Sequence, residues 1–303
     1  MGQKAPFPMS SDACDSKGSG KVSPARMRQQ RFGNVSCVRQ SLFSESLGMP
    51  FKLIGKERSK TNEGRKMNSC ILETRGLVKR FGRGSREQTA VDGVSLHVEE
   101  GKVYGLLGPN GAGKSTTLKM ITGMLRPSEG QILFEQRPWQ RNDLYRIGSL
   151  VEQPPLYPNL TARENMRVRT TMLGLPDERI DEVLSTVGLA DTGTKRADRF
   201  SMGMKQRLGI ALALLTQPKL LILDEPTNGL DPIGIEELRI IIREFPKHGI
   251  TVLLSSHILN EVQQTADSVG IIVNGRLAYE GALQKEQDLE ALFMEVCRNG
   301  DAR

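Results

Sequence analysis

No stretch of this sequence is apolar for long enough to cross a bilayer, which takes ~18 to 20 residues. The longest apolar run, around residues 208–215, reads as a core segment. Any role at a membrane is therefore expected to need a partner chain. The four cysteines, Cys14, Cys37, Cys70 and Cys297, lie far apart with no Cys-x-x-Cys, and there are three histidines. Neither a disulfide framework nor a structural zinc site is expected, and a reducing compartment fits. The N-terminus lacks the apolar core of a secretory signal.

The 303 residues are 38% hydrophobic and 25% charged, which reads as a soluble globular chain with ample core. Charge is uneven. Residues 1–66 carry 13 basic and 5 acidic side chains, whereas residues 67–303 carry 29 and 30. The high computed isoelectric point thus belongs to the first segment and is no sign of nucleic-acid binding by the rest. Residues 1–66 are rich in Ser, Gly, Lys, Arg and Gln without hydrophobic periodicity, and are expected to be disordered. Their Arg and Ser content suggests an organelle transit peptide, but scattered acids and a bacterial-looking remainder argue against one. The codons for Glu63-Gly64-Arg65-Lys66 can be almost wholly purine, as a ribosome-binding site translated by mistake would be. The expectation is a native start at Met67 and a protein of 237 residues; the alternative is a real disordered tail.

From Met67 the pattern is ordered. Residues 71–78 and 90–98 alternate like strands of a small antiparallel sheet, and 103–107 reads as a short buried strand before a Gly-rich loop. Helices are expected at 117–124, 163–173, 180–187 and 201–215, central parallel strands at 220–223 and 251–255. A last hairpin is expected from 270–273 and 276–279 around Asn274-Gly275. The fold class is α/β, with a helical insertion at about residues 160–215.

Gly108-Pro109-Asn110-Gly111-Ala112-Gly113-Lys114-Ser115 satisfies G-x-x-x-x-G-K-[ST] between a strand and a helix. Glycines let the backbone curl so that several N–H groups face one anion, and the following helix adds its positive end. Gly108, Asn110, Gly111, Gly113, Lys114, Ser115 and Thr116 are the expected nucleotide contacts. Lys114 would reach the β- and γ-phosphates, and the Ser115 hydroxyl would ligate Mg²⁺. Leu220-Leu221-Ile222-Leu223-Asp224-Glu225 is an apolar strand that delivers two acids to the carboxyl edge of a parallel sheet, where ligands bind. Asp224 can hold Mg²⁺, and Glu225 is placed to polarise the attacking water as general base.

A phosphate loop alone leaves GTPases, kinases, helicases and ABC motors open, although guanine-reading N-K-x-D is missing. Asp224-Glu225-Pro226-Thr227-Asn228-Gly229-Leu230-Asp231-Pro232 closely resembles the D-E-P-T-x-G-L-D-P stretch of ABC ATPases, and the resemblance runs from residue 71 to about 295. It implies a P-loop NTPase of ABC type: a mixed, largely parallel sheet with a small antiparallel β subdomain and an inserted helical subdomain. It also implies that Asp231 begins a loop communicating across a nucleotide-sandwich dimer, and that Phe81, in Lys79-Arg80-Phe81-Gly82, stacks on adenine. Phe200-Ser201-Met202-Gly203-Met204-Lys205-Gln206-Arg207 matches the signature loop L-S-G-G-Q. Ser201 and Gly203 are kept there for the opposite subunit's γ-phosphate, while Met202 and Met204 replace Gly and Gln. His257, in Ser255-Ser256-His257, takes the switch-histidine position at the γ-phosphate.

Glu152, in Val151-Glu152-Gln153-Pro154, falls where most ABC motors carry a Gln that contacts Mg²⁺ or the attacking water. A one-residue register shift would instead put Gln153 in that role. Glu152 together with F-S-x-G-M-K-Q-R-L-G-I-A is similar to the ATP-binding subunits of lantibiotic-immunity and bacitracin-type exporters. The resemblance implies an ATPase using ATP and Mg²⁺, with Glu225, Glu152 and His257 catalytic and Ser115, Asp224 and Glu152 around the metal. It implies as partners a membrane permease docked near residues 154–166, where Leu156, Tyr157 and Leu160 stand, and a second copy of the chain. No nucleic acid and no direct membrane span are implied, and the place is the cytoplasmic face of the plasma membrane. Export of another substrate, a non-exporting sensor and a soluble non-transport ABC ATPase stay open. Only 87 residues separate Lys114 from Ser201, which leaves no room for the long coiled coil of a repair ATPase.

Overall fold

The computed structural model describes residues 69–284 and 287–301. The expectations for residues 1–66 lie outside them.

Three strands with no polar outer face make the centre of the larger sheet. They are β4 (Val103–Leu107), β8 (Leu220–Asp224) and β9 (Thr251–Ser256), every residue of which is buried. Such unbroken burial is what strands covered on both faces require. With β7 (Ile147–Leu150), β10 (Ser268–Val273) and β11 (Arg276–Ala282) they form a six-stranded sheet in the order β11-β10-β4-β9-β8-β7. All neighbours run parallel except β10 and β11. The β10–β11 turn is the expected Asn-Gly hairpin. Asn274 and Gly275 both sit at positive φ, 49° and 80°, as a two-residue turn matching strand twist needs.

The smaller sheet is antiparallel: β1 (Cys70–Phe81) pairs with β2 (Gln88–Val94), β3 (His97–Glu99) and β5 (Glu129–Phe134), and β5 with β6 (Arg137–Pro138). The alternation expected over 90–98 is split in two, because β2 pairs with the second half of β1 (Leu77↔Val94) and β3 with its start (Cys70↔Glu99). One apolar cluster, with Leu72, Val98, Leu106 and Leu118, welds this sheet and helix α1 (Lys114–Ile121) to one face of the parallel sheet.

Between β7 and β8 the chain is helical: α2 (Ala162–Leu173), α3 (Glu178–Thr186) and α4 (Met202–Leu214). Thr161 and Glu164 form a reciprocal capping box at the start of α2, and Gly174 ends it in the left-handed conformation. Helices α5 (Pro232–Glu244), α6 (Leu259–Thr265) and α7 (Leu289–Asp301) join these in the second apolar cluster, on the other face of the sheet. None of the described helices is long and apolar enough to cross a membrane.

Candidate active site

The carboxyl ends of β4, β8 and β9 lie side by side, so the loops that follow them meet at one edge. After β4, the chain turns through Gly108, where a Cβ would lie 2.3 Å from the Ile272 carbonyl oxygen. At Gly113 φ is +108°, and a Cβ would lie 2.6 Å from the Ala90 carbonyl oxygen. No side chain fits either position. The loop is held from outside as well: Gly275 N–H donates to the Ala112 carbonyl (3.0 Å), and Asp92 N–H donates to the Gly275 carbonyl (2.8 Å). Asn110 and Gly111 are exposed at its tip.

Helix α1 begins at Lys114, earlier than the residue 117 expected, because the glycine run hides its first turn from hydrophobic periodicity. Gly113 caps it without a side chain, so no side chain takes up the first-turn N–H groups. Lys114 is 5% exposed; its Nζ donates to the Gly108 and Pro109 carbonyls (2.8 and 3.3 Å) and lies 3.4 Å from Glu225 Oε1. Ser115 and Thr116 are half-buried in the same turn.

At the end of β8, Asp224 Oδ1 accepts hydrogen bonds from Ser115 Oγ (3.1 Å) and Ser255 Oγ (2.6 Å). Glu225 has φ of +48°, a backbone conformation costing about 1 to 3 kcal/mol for a residue with a side chain. Ser255 holds it there, accepting the Glu225 N–H on both its hydroxyl (2.9 Å) and its carbonyl (3.2 Å). His257 Nδ1 lies 2.5 Å from Glu225 Oε2. Ser255 escaped the sequence reading; its signal was a hydroxyl in register with Asp224 at the end of an apolar strand.

Lys114, Ser115, Asp224, Glu225 and His257 therefore form one cluster. Glu152 is not joined to it: its carboxylate pairs with the Lys119 ammonium on α1. Phe81 ends β1, is 42% exposed, and has the Lys79 ammonium 5.2 Å from its ring centroid. Ser201, Gly203 and Asp231 make a separate group. Ser201 caps α4, its Oγ accepting the Met204 N–H (3.2 Å), and Asp231 caps α5, its Oδ1 accepting the Gly234 N–H (3.0 Å). Leu230 is the nearest neighbour to a Cβ at Gly203, and exposed Met202 the nearest to one at Gly229. Among the described residues no hydrogen bond or ion pair joins Ser201, Gly203 or Asp231 to the first cluster.

The first cluster offers three kinds of chemistry. The loop N–H groups, the helix end and Lys114 favour a polyanion. The Ser115 hydroxyl beside the Asp224 carboxylate is a hard-oxygen pair of the kind Mg²⁺ takes when phosphate oxygens and water complete its shell. A carboxylate touching an imidazole can orient a water and take its proton.

The ABC transporter family model matches residues 91–228. Over 223 residues the chain is 50% identical to the lantibiotic transport ATP-binding protein SrtF of Streptococcus pyogenes, covering 74% of this chain and 96% of that protein. It is 49% identical over 217 residues to the bacitracin transport ATP-binding protein BcrA of Bacillus licheniformis, covering 70% of each. Among solved structures it resembles an ATP-binding cassette in its ADP conformation (29% identity, TM-score 0.66, 75% of this chain and 96% of that one). A dimeric cassette bound to ADP and Pi after hydrolysis is also similar (25% identity, TM-score 0.63, 71% and 99%).

Proposed function

This chain belongs to the ABC transporter family and is its ATP-hydrolysing, energy-coupling subunit, and we propose that it drives export of lantibiotics or related antimicrobial peptides through a separate membrane permease. The observation that carries the substrate class is the 50% identity that extends over 96% of a lantibiotic transport protein. The protein would act on the cytoplasmic face of the plasma membrane, with a second copy of itself as its ATPase partner and the permease docked near residues 154–166. We assign residues 67–303 to the motor, with a helical subdomain at about 160–215.

The geometry supports the following roles. ATP phosphates would occupy the cradle of Gly108, Asn110, Gly111, Gly113 and Thr116, drawing Lys114 away from the loop carbonyls it now holds. Ser115 and Asp224 would hold Mg²⁺, which when bound supplies positive charge against the phosphates. Glu225 Oε2, beside His257, is placed to orient the attacking water and take its proton, so catalysis is positioning and electrostatics. Phe81 offers an exposed ring for adenine. Ser201 and Gly203 at the N-terminus of α4 would meet the γ-phosphate held by the other copy, with Asp231 alongside. Glu152 is read as a phosphate-site residue reached from β7.

Glu225→Gln in the native host, challenged with lantibiotic, tests the reading. Loss of peptide resistance, with the permease still co-purifying, is expected. Intact resistance in that variant would refute the export role.

A further inference from the structure

Glu152 lies two residues beyond β7 with φ of +64°, a conformation uncommon for a residue with a side chain. Its carboxylate is 65% exposed, yet it pairs with the Lys119 ammonium, whose own side chain is 28% exposed. Lys119 stands four residues after Ser115 on α1, and residues at that spacing share a helix face. The pair therefore sits one turn along the helix whose first turn makes the phosphate cradle. A carboxylate there repels an incoming polyphosphate, because like charges at such range cost binding unless a counter-charge or metal intervenes.

We propose that Lys119 is the positioning residue and counter-charge for Glu152. Its ammonium holds the carboxylate against α1 and keeps that negative charge off the nucleotide phosphates. The uncommon backbone at Glu152 aims the side chain toward α1, and the ion pair fixes where it stops. This rests on the reading of Glu152 as a phosphate-site residue.

Equilibrium binding of a fluorescent trinitrophenyl-ATP, displaced by ATP, tests it on the purified full chain. Wild type, Lys119→Met, Glu152→Gln and the double variant are compared in EDTA and in magnesium, at low and high salt. Lys119→Met is expected to weaken ATP binding in EDTA by roughly three- to tenfold, with a smaller effect in magnesium and at high salt. In the Glu152→Gln background the same substitution is expected to shift affinity less than about twofold. Lys119→Arg, which keeps the charge, should restore binding and shows that the Met variant's loss is not misfolding. Equal losses in both backgrounds would overturn the proposal, since Lys119 would then act without Glu152. If Glu152→Gln alone leaves both magnesium dependence and hydrolysis as in wild type, the underlying reading of Glu152 falls and takes the proposal with it.

Discussion

One carboxylate, that of Glu225, bridges two basic groups: Oε2 lies 2.5 Å from His257 Nδ1 and Oε1 lies 3.4 Å from Lys114 Nζ. The contact ties the ends of β8 and β9 to the phosphate loop. It also places the proposed base between the group proposed to hold phosphate and a group that can share a proton.

Glu225→Gln is expected to cut ATP hydrolysis by roughly a hundredfold or more while ATP still binds. The amide keeps the shape but gives up the negative charge and one acceptor oxygen, and it cannot take a proton. Phosphate release and nucleotide binding, measured on the same preparation, check this. Turnover near wild type would remove Glu225 from the role of base.

Gly113→Ala is expected to destabilise the fold by about 2 to 3 kcal/mol and to abolish ATP binding. The added methyl would sit 2.6 Å from the Ala90 carbonyl oxygen at a backbone angle disfavoured for alanine. Urea unfolding gives the first number and nucleotide titration the second.

Ser201→Ala should lose about 1 kcal/mol as its cap on α4 goes. ATP affinity of the single chain should stay near wild type, while ATP-driven pairing of two copies weakens. Ser201→Asp restores the cap but adds negative charge near the proposed γ-phosphate contact, so stability should return and pairing should not. Thermal melts and sedimentation with ATP separate the two effects.

Asp143 lies in a short 3₁₀ turn (Arg141–Tyr145) and is buried. Burial opposes its charge, but the Arg137 guanidinium (2.5 and 3.0 Å) and the Gln140 N–H (2.7 Å) prevail and hold its pKa below the ordinary aspartate value. A depressed folded pKa stabilises the fold above the unfolded value of ~3.9, and that stability is lost as pH falls through the folded value. Asp143→Asn is expected to cost roughly 2 kcal/mol at neutral pH and to flatten the loss of stability below about pH 4. Urea midpoints between pH 2.5 and 7 check the slope.

What was legible in the sequence was local. The phosphate loop, the two acids at the end of β8 and the Asn274-Gly275 turn each lie within ten residues, and the structure forms the expected loop, strand end and hairpin there. β7 was not legible as a strand: four residues are too few for a period, and Gly148 is there for packing, since a Cβ would lie 2.4 Å from the Ala213 carbonyl oxygen. β5 was hidden by its polar first half. Ser255 and Lys119 matter through contacts with Asp224 and Glu152, about 30 residues away in the chain, and no short window holds both partners.

The strand carrying the phosphate loop, β4, pairs with β9 on one side and β10 on the other, and the loop itself leans on Gly275. All three supports are made some 150 residues after β4 leaves the ribosome. From the time residue 107 is made until β9 begins at Thr251, about half of the synthesis, β4 thus has two open edges and the loop after it lacks its supports. ATP is therefore expected to bind only late in translation, and until then the open edges of β4 invite wrong pairing that a chaperone would prevent.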